Sequence, residues 1–232
     1  TRRSSDLAGN MPSLLTLDEV ETMFHEFGHA LHGMLTKCNY KGVSGTSVAQ
    51  DFVELPSQIM EHWAVEPEVL KLYAKHYETR EVIPDELITK IQNQGTFNQG
   101  FMTTELLAAA LLDMELHNLT DTENLNVVAF EKETMDKLGL IPEIAPRYRA
   151  TYFSHIIGGY AAGYYSYLWA EVLDTDAFEA FKEHGVFDKN TADSFRKNIL
   201  EKGGTEDPMT LYRGFRGADP SLEPLLKNRG LK

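Results

Sequence analysis

The chain has 232 residues, of which 42% are hydrophobic and 25% charged, which is enough for one sizeable core in a globular protein. Its formal net charge of −13 argues against nucleic acid or an anionic membrane surface as a partner. The single cysteine, Cys38, excludes an internal disulfide, and no apolar run has transmembrane length, so we expect a cytoplasmic protein. Because the chain opens with Thr1 and its first motif lies only a few turns further on, we also expect the C-terminal part of a longer protein.

The first predicted element is a helix over roughly residues 17–36 that carries the sequence His-Glu-x-x-His. A capping box opens it at Thr16, and apolar residues recur at three- and four-residue spacing. On such a helix His25 and His29 lie on one face, where two imidazole nitrogens can bind the same Zn²⁺. Glu26 lies beside the first ligand and can take a proton from a metal-bound water.

Two further residues of this helix carry expectations. Gly28 destabilises a helix interior, so we expect another backbone to approach that face closely. His32 lies on nearly the same face as His25, and we expect it to pack or to form a supporting hydrogen bond. The competing interpretation of the whole motif is a surface helix with two solvated histidines.

Residues 40–50, which contain Gly42 and Gly45, predict either a short β hairpin, whose edge could pair with an extended peptide, or a plain loop. The next helix opens near Asp51 and carries Glu54, the candidate third zinc ligand. This spacing suits a second helix that packs back against the first. In the alternative interpretation, Asp51 and Glu54 form a capping pattern and the carboxylate satisfies backbone amides.

Glu61 lies seven residues after Glu54, so it is able to share the helix face that looks at the metal. There it would accept the second N–H group of His25 or His29, although a solvent-facing glutamate fits equally well. The middle of the chain predicts helical scaffold without chemistry. Within it, residues 101–119 are apolar almost all round, which is typical of a buried helix. Three other histidines are expected to be structural or solvated: His62, His76 and His117.

The second informative stretch runs from residue 147 to 169 and holds more than half of the chain's ten tyrosines. Its glycines predict a mobile segment, and phenol groups in an open cleft are free to meet a substrate. We interpret it as a loop that brings His155, Tyr160 and Tyr167 to a developing oxyanion. The alternative is an aromatic packing cluster.

With both stretches in view, the sequence resembles the zinc oligopeptidases of the thimet oligopeptidase and peptidyl-dipeptidase family, nearest to the bacterial Dcp branch with oligopeptidase A as neighbour. The resemblance rests on segments spread over nearly the whole chain: FHEFGHALHG (24–33), SGTSVAQDFVELPSQIMEHW (44–63), ELLAAALLDM (105–114), PRYRATYFSH (146–155), GGYAAGYYSYLWAEVL (158–173) and the closing KNRGL. It implies a mainly α, multi-helical fold of the zincin type, with at most a short β hairpin near 40–50.

The resemblance also implies functional residues. They are one Zn²⁺ per chain on His25, His29 and Glu54, Glu26 as general base, His155, Tyr160 and Tyr167 as stabilisers of the transition state, and Tyr164 near the substrate. Family members are much longer, with a cleft between two largely helical halves. We therefore expect residues 1–232 to form a single C-terminal catalytic domain whose partner is the remaining N-terminal part of the enzyme.

The expected activity is hydrolysis of short peptides, with release of C-terminal dipeptides. A peptidyl-dipeptidase must anchor a C-terminal carboxylate, and Arg147, Arg149 and Tyr160 are candidates because arginine binds carboxylates bidentately. One alternative is an oligopeptidase A-type endopeptidase that cuts within short peptides. Another is a helical zinc-binding module without activity, although three ligands and an adjacent base favour catalysis. The same ligands also accept cobalt or manganese.

Overall fold

The structure is a computed structural model that describes residues 12–232. Its helices are α1 (Leu17–Met34), α2 (Leu55–Val65), α3 (Pro67–Tyr73), α4 (Asp85–Gly95), α5 (Gln99–His117), α6 (Val127–Lys137), α7 (Ser154–Ile157), α8 (Ser166–His184), α9 (Lys189–Phe195), α10 (Pro208–Arg216) and α11 (Glu223–Asn228). A short π-helix, Arg196–Leu200, continues α9. The fold is mainly α, as the sequence predicts.

The segment between α1 and α2 is a loop and not a hairpin. It holds one 3₁₀ turn, Lys41–Val43, and its other residues form turns and bends. In the described part of the chain, β pairing is limited to an isolated bridge between Lys75 and Val82. Of the two interpretations of residues 40–50, the plain loop is therefore the right one.

The first helix begins as its sequence predicts. The Glu19 amide donates to the Thr16 hydroxyl, and the Glu19 carboxylate accepts from the Thr16 amide, which completes a capping box. The helix then packs closely on α2 at Gly28, where a Cβ atom would lie 2.1 Å from the carbonyl oxygen of Pro56 and 2.6 Å from Cα of Ser57. This confirms the expected close approach of a second backbone, and it brings α1, with His25 and His29, against α2.

The main core lies on the other side of α2, against α8 and the helices that follow it. Its fully buried members include Leu55 and Ile59 from α2 and Leu173 and Phe178 from α8. Burying such a side chain stabilises the fold by about 1.5–3 kcal/mol each. The core therefore fixes α2, which carries Glu54 at its start, against the long helix α8.

A second, smaller core joins α5 to the tyrosine-rich segment. Leu106 and Ala109 of α5 pack there with Phe153, Ile156 and Tyr164.

The helix predicted over residues 101–119 is present as α5, but it is buried on one face and not all round. Leu107, Leu111 and Met114 lie along one face of α5 and are exposed. They recur at four- and three-residue spacing, so α5 presents one apolar stripe to its core and another to solvent. Among residues 12–232, no helix combines the length and apolarity that a membrane crossing requires.

Candidate metal centre

Three side chains converge where α1 meets α2. Nε2 of His25 and Nε2 of His29 lie 3.4 Å and 3.2 Å from the same Oε2 atom of Glu54. Two atoms that bind a tetrahedral zinc at about 2.0–2.1 Å lie about 3.3 Å apart, so both contacts have the separation that such an ion requires. The three ligand atoms all lie within 4.8 Å of one another, and the set is two imidazoles and one carboxylate. The residues present therefore fit a catalytic zinc site, in which water or substrate takes the fourth position.

Both oxygens of the Glu54 carboxylate accept hydrogen bonds, which fix the orientation of this side chain. Its side chain is 3% exposed, the Ser57 hydroxyl donates to Oε2 at 2.8 Å, and the Tyr160 hydroxyl donates to Oε1. Glu54 does stand at the N-cap position of α2, but its side chain makes no capping hydrogen bond, so the capping interpretation is wrong.

The surroundings also keep this carboxyl ionised. Burial raises the pKa of Glu54, but hydrogen bonds from His25, His29 and Tyr160 outweigh it and hold the pKa well below its usual range. An ionised, oriented carboxylate is what a divalent cation needs as a ligand.

A second carboxylate supports the first histidine. Nδ1 of His25 lies 2.6 Å from Oε1 of Glu61, and this contact turns Nε2 towards Glu54, where a metal ion would take the place of the Nε2 proton. Burial lowers the pKa of His25, but the hydrogen bonds with Glu54 and Glu61 raise it to about 10. Of the two interpretations of Glu61, contact with a ligand histidine is the one that the structure shows.

His32 packs and does not hydrogen-bond. It is fully buried, and among residues 12–232 neither of its ring nitrogens has a hydrogen-bond partner. Burial, with the nearby His29 as a smaller cause, lowers its pKa to about 4. The imidazole is therefore neutral at physiological pH and serves α1 as an apolar filler.

Glu26 lies on α1 and is exposed to solvent. It follows His25 directly and precedes His29 by three residues, so on a helix it flanks both ligands. A carboxylate in this place is accessible to a water molecule that approaches the candidate metal position.

The tyrosine-rich segment reaches the site through Tyr160. Besides binding Glu54, its ring stacks on that of Tyr167 at 5.1 Å, with 13° between the planes. The His155 ring lies 6.0 Å from Tyr160 and 6.2 Å from Tyr167. Burial and the bond to Glu54 raise the pKa of Tyr160, so its phenol group keeps its proton near neutral pH.

Tyr164 takes a different place. It is 3% exposed and packs edge-on against Phe153 at 4.8 Å and His155 at 5.3 Å. The aromatic-cluster interpretation thus fits Tyr164 and its neighbours, whereas Tyr160 contacts the candidate ligand Glu54 and Tyr167 stacks on Tyr160. The structure brings Tyr164 beneath His155 and not to the open surface of the site.

The two arginines that are candidates for binding the substrate carboxylate have different surroundings. Arg149 pairs with the buried carboxylate of Glu131 on α6, so its guanidinium is already engaged. Arg147 is exposed, with its guanidinium carbon 6.0 Å from the Tyr148 ring. Burial lowers the pKa of His155, and the positive charge of Arg147 lowers it further. Of the two arginines, Arg147 is thus the one whose charge reaches His155.

Sequence reasoning missed three residues that shape the site. Ser57 binds Glu54, and the Gln58 side-chain amide donates to the Tyr167 carbonyl at 3.2 Å. Both follow Glu54 by about one helical turn, which is a spacing that the sequence already showed. The third is Asp113, which accepts from the Ala162 and Tyr164 amides. Its only signal was one acidic residue within an apolar helix.

Comparison with known proteins places this arrangement in context. The model of peptidase family M3 matches residues 3–231. The chain is 47% identical over 231 residues to dipeptidyl carboxypeptidase of Escherichia coli (strain K12), covering 97% of this chain and 33% of that protein. It is 45% identical to oligopeptidase A of the same organism (95% and 33%) and 35% identical to the thimet-like oligopeptidase of Dictyostelium discoideum (95% and 33%). The chain spans about a third of the length of these curated relatives.

Proposed function

Because the chain belongs to peptidase family M3, we propose that it is the C-terminal catalytic domain of a longer zinc peptidase that hydrolyses short peptides. The observation that carries this proposal is the contact of both histidine Nε2 atoms with one oxygen of the buried Glu54. His25, His29 and Glu54 would hold one Zn²⁺. The ion, when bound, supplies Lewis acidity and lowers the pKa of a bound water.

The chain's own residues then divide the chemistry. Glu26 takes the proton of the attacking water and passes it to the leaving amine, as a general base that becomes a general acid. Tyr167 and His155 donate hydrogen bonds to the carbonyl oxygen of the substrate as negative charge develops on it. Tyr160, whose hydroxyl donates to Glu54 in this structure, turns its single O–H to the same oxygen when the substrate is bound. Burial raises the pKa of both tyrosines, so their phenol groups keep the protons that they donate.

We assign the release of C-terminal dipeptides to this site, with Arg147 as the anchor for the substrate carboxylate. Arg147 is exposed and its charge reaches the site, whereas Arg149 is paired with Glu131. The relative with the matching name, dipeptidyl carboxypeptidase, shares 47% of the aligned residues. The competing assignment is cleavage within short peptides, since an oligopeptidase A is 45% identical.

Product analysis separates these two assignments. The full-length enzyme is given one peptide with a free C-terminus and the same peptide with an amidated C-terminus. A peptidyl-dipeptidase releases a dipeptide from the first and cleaves the second poorly, because the anchor for the carboxylate has lost its partner. Equal cleavage of both would favour the internal cut. In the first case, Arg147→Ala raises KM on the free peptide, while Arg80→Ala, an exposed arginine on another loop, leaves it unchanged.

The general base and the metal are tested separately. We expect Glu26→Gln in the full-length enzyme to lower kcat by about 10²–10⁴-fold while zinc content stays at one per chain. Glu133→Gln, an exposed glutamate on α6, is the matched control and should keep both. His29→Ala should lose zinc and activity together. A His29→Ala protein that lost zinc but kept its peptidase activity would contradict the proposed function.

A further inference from the structure

One carboxylate of the helical scaffold is bound to the segment that carries the catalytic tyrosines. Asp113 lies in α5 among apolar residues and is fully buried. The Ala162 amide donates to its Oδ1 at 2.9 Å, and the Tyr164 amide donates to its Oδ2 at 2.9 Å. Both carboxylate oxygens therefore accept hydrogen bonds from the main chain of a segment about 50 residues further along the sequence.

The backbone that Asp113 binds has an uncommon conformation. Ala162 has φ +53°, in the left-handed region that residues with a Cβ atom rarely adopt. Such a conformation persists only where the surrounding structure holds it. Asp113 supplies that hold, because its two bonds fix the amides on either side of Gly163.

The orientation of the carboxylate is itself fixed. Nδ1 of His117, one helical turn further along α5, lies 2.8 Å from Oδ1 of Asp113 and 2.9 Å from its carbonyl oxygen. His117 is partly exposed, so it forms the solvent-facing end of this hydrogen-bond network. With this bond in place, each carboxylate oxygen faces one loop amide.

The anchored residues lie between the two phenol groups of the site. Tyr160 precedes Ala162 by two residues, and Tyr167 follows Tyr164 by three, so the chain between the stacked rings is tied to α5 at two points. A small shift of this backbone would move the Tyr160 hydroxyl away from Glu54. Hydrogen-bond donors stabilise an oxyanion only when they are already in position.

We propose that Asp113 is a positioning residue of the peptidase site, and that it acts by holding the Tyr160–Tyr167 backbone in the geometry that transition-state stabilisation requires. The inference rests on the proposed function. It gives α5 a role in the site: the helix would fix the position of the phenol groups that donate hydrogen bonds to the oxyanion. Asp113 acts through Tyr160 and Tyr167, so its loss should affect kcat more than substrate binding.

Asp113→Asn in the full-length enzyme tests this inference. Asparagine has nearly the same shape but only one acceptor oxygen, so one loop amide loses its partner. We expect kcat to fall by about tenfold or more, with KM within about twofold of wild type and zinc content unchanged. The matched control is Asp176→Asn in α8, where the buried carboxylate accepts from the Tyr212 hydroxyl at 2.6 Å and has no contact with the tyrosine segment.

Asp176→Asn should lower the melting temperature but keep kcat. Equal kcat losses in the two variants at equal melting temperature would reduce Asp113 to a general stabiliser and overturn the inference. A folded, zinc-loaded Asp113→Asn enzyme with wild-type kcat would overturn it as well. If Asp113→Asn does not fold, His117→Ala replaces it, because His117 is partly exposed; a kcat loss of about two- to fivefold is then expected, and none would contradict the proposal.

Amide hydrogen exchange gives a readout that does not depend on catalysis. In Asp113→Asn the amides of Ala162 and Tyr164 should exchange faster, and in Asp176→Asn they should not. Unchanged exchange in Asp113→Asn would contradict the anchor itself. An inactive wild-type enzyme would contradict the proposed function instead, while the exchange measurement would still decide whether Asp113 holds this backbone.

Discussion

At the scale of single residues, Glu54 is the group on which the site converges. One of its oxygens meets two imidazoles and a serine hydroxyl, and the other accepts from Tyr160. A buried anion with so many donors is stable only because each lone pair is satisfied. The same negative charge attracts a divalent cation, which would replace the histidine protons as the partner of the carboxylate.

Glu61 provides the first prediction at this scale. Replacing it by alanine removes the carboxylate from Nδ1 of His25, which then lacks the partner that orients its ring. We expect zinc affinity to fall by about 10–100-fold. Zinc titration against a competing chelator measures this directly, with Glu133→Ala as the control. An unchanged zinc affinity would show that the contact does not support the ligand.

His32 gives a prediction about pH. Its pKa is depressed to about 4 in the folded chain, against 6.5 in the unfolded chain. The stability that depends on neutral His32 is therefore present above pH 6.5 and is lost as pH falls towards 4, by about 2 kcal/mol at pH 5. His32→Leu should flatten the curve of melting temperature against pH in that window for the metal-free protein. A curve of unchanged slope would mean that other groups carry the acid sensitivity.

At the scale of elements, the contact between α1 and α2 determines whether the ligands meet. The contact depends on the missing side chain of Gly28, which allows the Pro56 carbonyl to approach the axis of α1. Packed helices usually keep their axes 8–10 Å apart, and small residues at the crossing allow the nearer end of this range. The glycine that weakens the helix as an isolated segment is therefore what permits the metal site.

Gly28→Ala tests this contact. A Cβ atom would overlap the Pro56 backbone, so the helices must separate, at a cost of about 1–3 kcal/mol in the free energy of unfolding. Zinc affinity should fall as well, because Glu54 moves with α2. Gly33→Ala is the control on the same helix, since a Cβ atom there meets nothing within 4 Å. Since alanine favours a helix more than glycine does, Gly33→Ala should be neutral or stabilising. Equal losses of stability and zinc affinity in the two variants would contradict the role of the crossing at Gly28.

At the scale of the whole molecule, the chain spans about a third of the length of its curated relatives. The candidate metal ligands nevertheless all lie within residues 25–54, and their supporting core lies within the described helices. The outer face of α5, formed by Leu107, Leu111 and Met114, stays exposed in this chain.

This division predicts the behaviour of the chain alone. It should bind one Zn²⁺ per chain, because the ligands and their supports are local. It should hydrolyse peptides far more slowly than the full-length enzyme, because the family resemblance implies a substrate cleft between two halves and this chain would form one of them. Metal analysis and a peptidase assay on the purified chain measure the two properties. Full peptidase activity in the isolated chain would show that the remaining part of the enzyme is not needed for catalysis.

The residues alone determined most of the chemistry. Periodicity and capping predicted α1, the four-residue spacing placed His25 and His29 on one face, and the cost of a helical glycine predicted the close backbone at position 28. All of these are local properties, since they depend on neighbours within about two helical turns. The composition of the tyrosine segment predicted a functional loop, and the resemblance to zinc oligopeptidases, which the family comparison confirms, added Tyr164 as a residue near the substrate.

Only the tertiary structure decided the contacts between distant segments. It shows that the Glu54 side chain does not cap α2 and that Arg149 pairs with Glu131. It also shows that Tyr164 is buried and that Asp113 binds the tyrosine segment. None of these has a periodic signature, because each depends on how two helices or a helix and a loop pack together. Sequence patterns report which face of an element is apolar, whereas the partner of a polar group is set by the geometry of packing.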